Sequence, residues 1–151
     1  MARRYRLGLL RRLANAVMTV AVLLRLPRFT VLLETVGARS GLVRRTPVNI
    51  LRLENERWLV APYGHVGWVH NVRAAPQATL RRGLVGEPVR VEPVPAEIAG
   101  PVLKAYAQRF PVTRPFFGAP VDAPPAAFAA EAAKHPVFRV VAAGPDGKPA
   151  I

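Results

Sequence analysis

Two short segments carry the residue types that could hold a phosphate-bearing ring. The first, residues 37–47, reads GARSGLVRRTP. Gly37 and Gly41 let the backbone approach a ligand closely, and the N–H groups of such a loop can form an anion-binding nest. The side-chain donors of the segment are Arg39, Ser40, Arg44 and Arg45. Forked arginine bonds to phosphate oxygens would suit them, whereas the alternative is a solvated turn with surface arginines.

The second segment, residues 61–76, reads APYGHVGWVHNVRAAP. Gly64 and Gly67 predict a bend against which a planar ring could lie. Trp68 and Asn71 are three residues apart and share one face of a predicted helix. The Asn71 amide can serve the polar edge of a ring as donor and acceptor together. The alternative is that Trp68 belongs to the core and Asn71 caps a neighbouring element.

Other kinds of chemistry find little support in the chain. It has no cysteine, which excludes disulfides and thiolate chemistry. Ser40 is the only serine, and its neighbours do not form the G-x-S-x-G elbow of a hydrolase. His65 and His70 are five residues apart and His135 is remote, so the sequence predicts no metal site.

The positive charge is large and uneven. The net charge is +13, and residues 1–28 contain seven arginines and no acidic residue. Such a field attracts phosphates, acidic lipids or nucleic acid, and arginine suits phosphate, although a GC-rich genome would also favour it. No nucleic-acid-binding motif accompanies the charge, so we expect no nucleic-acid partner.

The periodicity of the first 26 residues predicts a basic amphipathic helix that ends before Pro27. Its most apolar stretch, residues 13–24, would be roughly 18 Å long, too short for the ~30 Å core of a bilayer. No small-residue cleavage site follows, which argues against a signal peptide. Residues 1–26 therefore either lie on an anionic membrane surface or pack against the rest of the protein.

The remaining chain predicts a mainly β domain with flanking helices. Six strands are expected, at 29–36, 46–53, 57–63, 78–82, 87–94 and 137–141. Helices are expected at 66–75, 97–109 and 126–134, and 111–125 is expected to be irregular. Hairpins between short strands favour a six-stranded antiparallel barrel. The predicted division is a helix at 1–28, a barrel domain at 29–143 and a loose tail at 144–151.

Taken together, the two segments resemble a known family, the nitroreductase-type deazaflavin (F420)-dependent oxidoreductases. The likeness covers roughly residues 29–141. The family pattern G-x-x-S/T-G-x-x-R-x-x-P followed by W-x-x-N-x-x-A-x-P is matched by Gly37, Ser40, Gly41, Arg44, Pro47, Trp68, Asn71, Ala74 and Pro76. The resemblance implies a split β-barrel of the FMN-binding split-barrel type and the coenzyme F420.

The resemblance also implies a reaction and the residues that serve it. Hydride would pass from reduced F420 to an electron-poor acceptor, such as a quinone, a nitro compound or an activated alkene. The implied coenzyme-binding residues are Arg39, Ser40, Gly41, Arg44, Pro47, Ala61, Pro62, Tyr63, Gly64, Trp68, Asn71 and Arg73. Tyr63, His65 and Tyr106 are the candidate proton donors, and His70 is expected on the helix surface.

Some positions depart from the family pattern. Tyr63 stands where a small hydroxyl residue is usual, and Asn49 stands where an aromatic residue is frequent. Phe110, Phe116 and Phe117 replace a tyrosine cluster of the nitro-reducing members, which favours an apolar substrate. The alternatives are an FMN-dependent reductase and a non-catalytic carrier of flavin, haem or lipid. We expect a cytoplasmic monomer or homodimer, with the inner face of the plasma membrane as a second location.

Overall fold

A computed structural model describes Arg12 and residues 29–144. The strands are β1 (Thr30–Val36), β2 (Val43–Asn49), β3 (Leu51–Leu53), β4 (Glu56–Val60), β5 (Gln77–Arg82), β6 (Val85–Pro93) and β7 (Val137–Ala142). The helices are α1 (Gly67–Ala74), α2 (Ala96–Arg109) and α3 (Pro125–Ala129), with a 3-10 helix at Pro111–Phe116.

The strands form one antiparallel sheet in the order β2-β1-β5-β6-β7-β4-β3. Its two terminal strands, β2 and β3, are consecutive in the chain and are separated only by Ile50. The N–H of Ile50 donates to the carbonyl of Phe29 at 2.8 Å, which ties this bend to the start of β1. The sheet is thus an incompletely closed barrel whose split lies beside β2.

Alternation along the strands places side chains in two apolar layers. In β4, Leu59 faces the barrel interior, whereas Trp58 and Val60 face outward beneath α2. The interior core also receives Trp68, Val69 and Val72 from α1. The outer core is closed by α2 and α3, with Phe128 fully buried between them and the sheet. Each face of the sheet is therefore covered, and α1 is anchored by the interior core.

The predicted mainly β architecture is confirmed, with one strand more than expected. The predicted strand 46–53 is interrupted at Ile50, where the chain turns from one terminal strand of the sheet to the other. The predicted helix at 126–134 is short, since α3 ends at Ala129 and turns follow. The segment 111–125, expected to be irregular, begins with the 3-10 helix.

The sequence predicts a hairpin connection at residues 54–56, and the structure shortens it to two residues. Leu53 pairs with Glu56, so Glu54 and Asn55 form a two-residue loop. Their φ angles are 53° and 63°, as a type I′ turn requires. The predicted helix 1–28 and most of the tail lie outside the described residues. Within the part of the chain that the structure describes, no helix is long and apolar enough to cross a membrane.

Candidate active site

A cavity of about 930 Å³ opens beside β2, at the split in the barrel. Its walls come from β1, β2, the loop between them, the first turns of α1 and the 3-10 helix. Arg39, Ser40 and Arg44 lie at one end, and Thr30, Asn49 and Tyr106 lie at the other. The two segments singled out in the sequence therefore meet around one cavity.

The loop 37–42 is closed by its own hydrogen bonds. The N–H of Gly37 donates to the carbonyl of Leu42 at 2.7 Å, and the N–H of Gly41 donates to the carbonyl of Gly37 at 2.9 Å. The N–H of Leu42 donates to Ser40 Oγ at 3.2 Å. Gly41 has a φ of +70°, and a Cβ on Gly37 would lie 2.5 Å from Ser40 Oγ. Both glycines are thus required by the turn itself.

Asn71 connects this loop to the barrel. Its Oδ1 accepts a hydrogen bond from the N–H of Ala38 at 2.9 Å, and its Nδ2 donates to Thr35 Oγ1 at 3.0 Å. The N–H groups of residues 37, 38, 41 and 42 are thus bonded within the protein. An anion-binding nest in this loop would have to use the N–H groups of Arg39 and Ser40, together with the side chains.

The side chains at this end of the cavity are strongly basic. Arg45 lies 3.4 Å from Glu34, a largely buried strand carboxylate that also pairs with Arg81. Arg39 and Arg44 are exposed and form no ion pair with any described residue. Two uncompensated guanidinium groups beside the Ser40 hydroxyl can hold a phosphate or carboxylate through charge-assisted bonds.

The middle of the cavity is walled by aromatic and apolar groups. Tyr63 is partly exposed, and its ring meets the edge of Phe116 with centroids 4.8 Å apart. Trp68 is only 6% exposed, because its ring packs on Phe138 in the barrel interior. Trp68 thus belongs to the interior core and also forms part of the cavity wall.

The end of the cavity near α2 is polar but closed to solvent. Thr30 Oγ1 donates to Asn49 Oδ1 at 2.8 Å, and the Asn49 side chain hydrogen-bonds the Tyr106 hydroxyl. Tyr106 is 2% exposed. Burial raises the pKa of the Tyr106 phenol far above its usual value, and nearby Tyr63 raises that pKa further. The phenol therefore remains a hydrogen-bond donor at neutral pH.

Most of the predicted site residues line the cavity. Those that do are Arg39, Ser40, Arg44, Pro47, Pro62, Tyr63, Trp68, Asn71 and Tyr106. Gly41, Ala61 and Gly64 do not, although they shape the adjoining turns: the Ala61 N–H donates to the carbonyl of Pro136 at 2.9 Å, and Gly64 has a φ of +92°.

His65 and Arg73 lie outside the cavity. His65 Nε2 is 2.7 Å from the carbonyl oxygen of Ala133, and its Nδ1 is 2.9 Å from the Arg73 guanidinium. These contacts fix the turn after β4 to the segment before β7. The structure thus gives neither residue the position that its predicted role would need.

Sequence reasoning missed several lining residues. His70 lies on an exposed helix surface, as expected, yet that surface borders the cavity. Thr30, Val112 and Thr113 also line it, and only the tertiary contacts bring them there. No cluster of metal-ligating side chains occurs among the described residues.

Solved structures with the same fold are detectable at low sequence identity. The chain of an F420-H2 dependent reductase, FDR-A, is 22% identical with a TM-score of 0.51, over 75% of this chain and 94% of that one. A chain reported as a domain-swapped dimer is 20% identical with a TM-score of 0.53, over 87% and 96%. HutZ, a haem storage protein of Vibrio cholerae, is 14% identical with a TM-score of 0.51, over 84% and 85%. These likenesses establish the fold.

The sequence itself identifies the family. No curated protein matches the chain significantly. The sequence model described as F420H(2)-dependent quinone reductase, by contrast, matches residues 8–110, which include the loop 37–42, all of α1 and Tyr106. The chain therefore belongs to the F420H(2)-dependent quinone reductase family, and it is an F420H2-dependent reductase.

Proposed function

We propose that the 930 Å³ cavity binds F420 and a quinone side by side, and that the quinone is the hydride acceptor. The observation that carries this proposal is the polarity gradient of the cavity. Arg39 and Arg44 at one end have no ion-pair partner among the described residues, and an enclosed tyrosine hydroxyl lies at the other end. A polyanionic coenzyme and a flat, largely apolar acceptor match these two ends in charge and polarity.

The residues present fit the coenzyme. Its phosphate and acidic tail would be bound by Arg39, Arg44 and the Ser40 hydroxyl. Its ring system would lie between the Pro62–Tyr63 turn and the start of α1, where Trp68 provides a rigid wall. Asn71 would act indirectly, because its side-chain amide holds the loop in place by accepting a hydrogen bond from the N–H of Ala38. The bound reduced coenzyme supplies a hydride, and the protein supplies position and charge.

The acceptor would lie toward Tyr106. Hydride transfer to a quinone leaves negative charge on one of its oxygens, and the resulting hydroquinone anion would take up its proton from solvent. The Tyr106 hydroxyl donates a hydrogen bond to that oxygen and stabilises the negative charge that develops there. Asn49 and Thr30 would fix its orientation, and Val112 and the Tyr63 ring line the same cavity.

The first test is titration of the protein with oxidised F420, and separately with FMN, followed by fluorescence quenching. We expect F420 to bind more tightly than FMN. Replacing both Arg39 and Arg44 with alanine should weaken F420 binding at least tenfold, about 1.4 kcal/mol. The matched control is Arg52→Ala with Arg82→Ala, which removes the same charge away from the cavity. An equal loss in the control would show that the effect is one of overall charge.

The acceptor is tested by turnover. Oxidation of F420H2 should be faster with a naphthoquinone than with a nitroaromatic compound or a conjugated enone of similar size. A clear preference for the nitroaromatic compound would overturn the quinone assignment without affecting coenzyme binding. Binding of FMN in preference to F420 would overturn the placement of the coenzyme.

A further inference from the structure

The hairpin between β5 and β6 carries an apolar tip that the fold does not require. Arg82 pairs with Val85, so Gly83 and Leu84 form a two-residue turn. Gly83 alone has a positive φ, of 60°, which is the arrangement of a type II′ turn with glycine at its first central position. Leu84 is 96% exposed and Val85 is 62% exposed. A polar residue would serve this turn equally well, so the apolar side chains have no evident role in folding.

Arginines and a groove surround this tip. Because β1 and β5 are antiparallel with Leu32 opposite Arg81, the tip lies at the end of the barrel where β1 begins. A groove of about 580 Å³ opens there, with an apolar floor that includes Val31, Ile50 and Leu80. Its charged residues are Arg52, Arg57, Arg82, Glu87 and Arg109, a net charge of +3.

The carboxylate that lines the groove, that of Glu87, is paired with an arginine of the same groove. Glu87 accepts two bonds from the Arg57 guanidinium, both at 2.7 Å. These bonds lower the pKa of Glu87, and three further arginines, Arg52, Arg82 and Arg109, line the same groove. Arg109 is held in place with its guanidinium 5.0 Å from the centroid of the Phe29 ring.

We propose that Leu84, Val85, Arg52, Arg82 and Arg109 form a docking surface for an anionic lipid bilayer, called here the Leu84 surface. Charge complementarity selects this occupant. Residues 1–28 carry seven arginines and no acidic residue, and a second copy of the chain carries +13, so both would be repelled. Leu84 and Val85 enter the interfacial region of the bilayer, while the arginines contact anionic headgroups.

A bilayer matches this surface better than a nucleic acid does. The exposed apolar groups at the tip are aliphatic, and an aliphatic side chain gains more from hydrocarbon than from a stack of bases. The one aromatic ring in the groove, Phe29, is covered by Arg109. The proposal concerns a different end of the protein from the phosphate-binding loop and does not rest on the identity of the acceptor.

The absence of cysteine from the chain allows a site-specific test. In the full chain, Leu84→Cys is labelled with a polarity-sensitive fluorophore and mixed with vesicles of phosphatidylcholine alone or with phosphatidylglycerol. The matched control is Leu42→Cys, since Leu42 and Val43 form a similarly exposed pair (60% and 57%) in the β1–β2 hairpin. Because β1 runs from Thr30 to Val36, that pair lies at the opposite end of the barrel.

We expect the label at position 84 to shift to the blue with anionic vesicles and to be quenched by spin-labelled acyl chains, while the label at 42 does neither. Leu84→Asn with Val85→Thr should lower partitioning into anionic vesicles about tenfold, ~1.4 kcal/mol, and Leu42→Asn with Val43→Thr should not. The proposal is overturned by an unchanged label at 84, by an equal response at 42, or by a response to duplex DNA in place of vesicles. Binding to vesicles through residues 1–28 alone would leave the fluorescence of the label at position 84 unchanged, and it would therefore also count against the proposal.

Discussion

Among the individual residues of the site, some line the cavity directly and others hold the lining residues in position. Tyr106 is of the first kind, since its hydroxyl lies at the enclosed end of the cavity. Asn71 is mainly of the second kind, since both ends of its amide are bonded to the β1 strand and its loop. The sequence presented both only as candidates, and their roles follow from their hydrogen-bond partners.

Tyr106→Phe should slow quinone reduction while leaving F420 affinity unchanged. Loss of one donor to a developing oxyanion costs typically about 10²-fold or more in kcat. The measurement is steady-state turnover together with F420 titration. Tyr63→Phe is the matched control and should reduce kcat much less, because the Tyr63 ring serves as a wall. Equal kcat values for the wild type and Tyr106→Phe would contradict the assignment.

Asn71→Ala should weaken F420 binding without touching the phosphate directly. The substitution frees the N–H of Ala38 and the Thr35 hydroxyl, so the loop loses its link to α1. We expect at least a tenfold higher Kd, about 1.4 kcal/mol. Titration of a variant whose folding is verified by circular dichroism provides the check. Thr35→Val, which removes one of the two bonds, should have a smaller effect; wild-type affinity in Asn71→Ala would refute the positioning role.

Among the secondary-structure elements, the β3–β4 hairpin has a turn that its local sequence defines. One residue of this turn adopts an unfavourable backbone conformation. Glu54 has a φ of 53°, a region that costs an L-residue roughly 1–2 kcal/mol and that asparagine tolerates better. Asn55 next to it already suits that region. The turn places β4, which carries Leu59 into the interior core and leads to the Pro62–Tyr63 wall of the cavity.

Glu54→Asn should therefore raise the thermal unfolding midpoint by a few degrees, the equivalent of up to about 1 kcal/mol. Glu54→Gln is the matched control, because it removes the same charge but keeps a side chain unsuited to positive φ. Thermal unfolding followed by circular dichroism distinguishes the two. A gain of the same size in both variants would assign the effect to charge.

Over the molecule as a whole, the outer core also contacts a buried histidine. His135 precedes β7, is 6% exposed and packs against Phe117 with ring centroids 4.7 Å apart. Its ring nitrogens face the carbonyls of Ala61 and Pro62 without a hydrogen bond of ordinary geometry. Burial lowers the pKa of His135 and Lys134 lowers it slightly further, whereas Glu131 opposes the shift.

The free energy of unfolding should consequently fall as the pH decreases from about 7. In the window between the ordinary pKa near 6.5 and the lower folded pKa, the unfolded chain binds a proton that the folded protein does not. Urea unfolding at a series of pH values measures this. His135→Leu should lose less stability over that window than the wild type. An equal loss of unfolding free energy in both proteins would show that other titrating groups govern the stability at acidic pH.

The features that could be predicted from the amino-acid sequence are those that depend on local spacing. Glycines and arginines at fixed offsets distinguish the loop 37–42, helical periodicity predicts α1, and residues 54–56 predict a hairpin. These features depend on residues close together in the chain, where φ preferences and side-chain periodicity act. They also sufficed to indicate the family, which the match over residues 8–110 confirms.

Which residues share the cavity depends, by contrast, on how distant parts of the chain pack together. Thr30, Asn49 and Tyr106 are far apart in sequence, and they meet because β1 pairs with β2 while α2 packs over the adjoining sheet. The same packing turns His65 away from the cavity and bonds it to Ala133. It also bonds the N–H groups of residues 37, 38, 41 and 42 within the protein. Such outcomes depend on long-range pairing and on competition for hydrogen-bond partners, neither of which short sequence patterns encode.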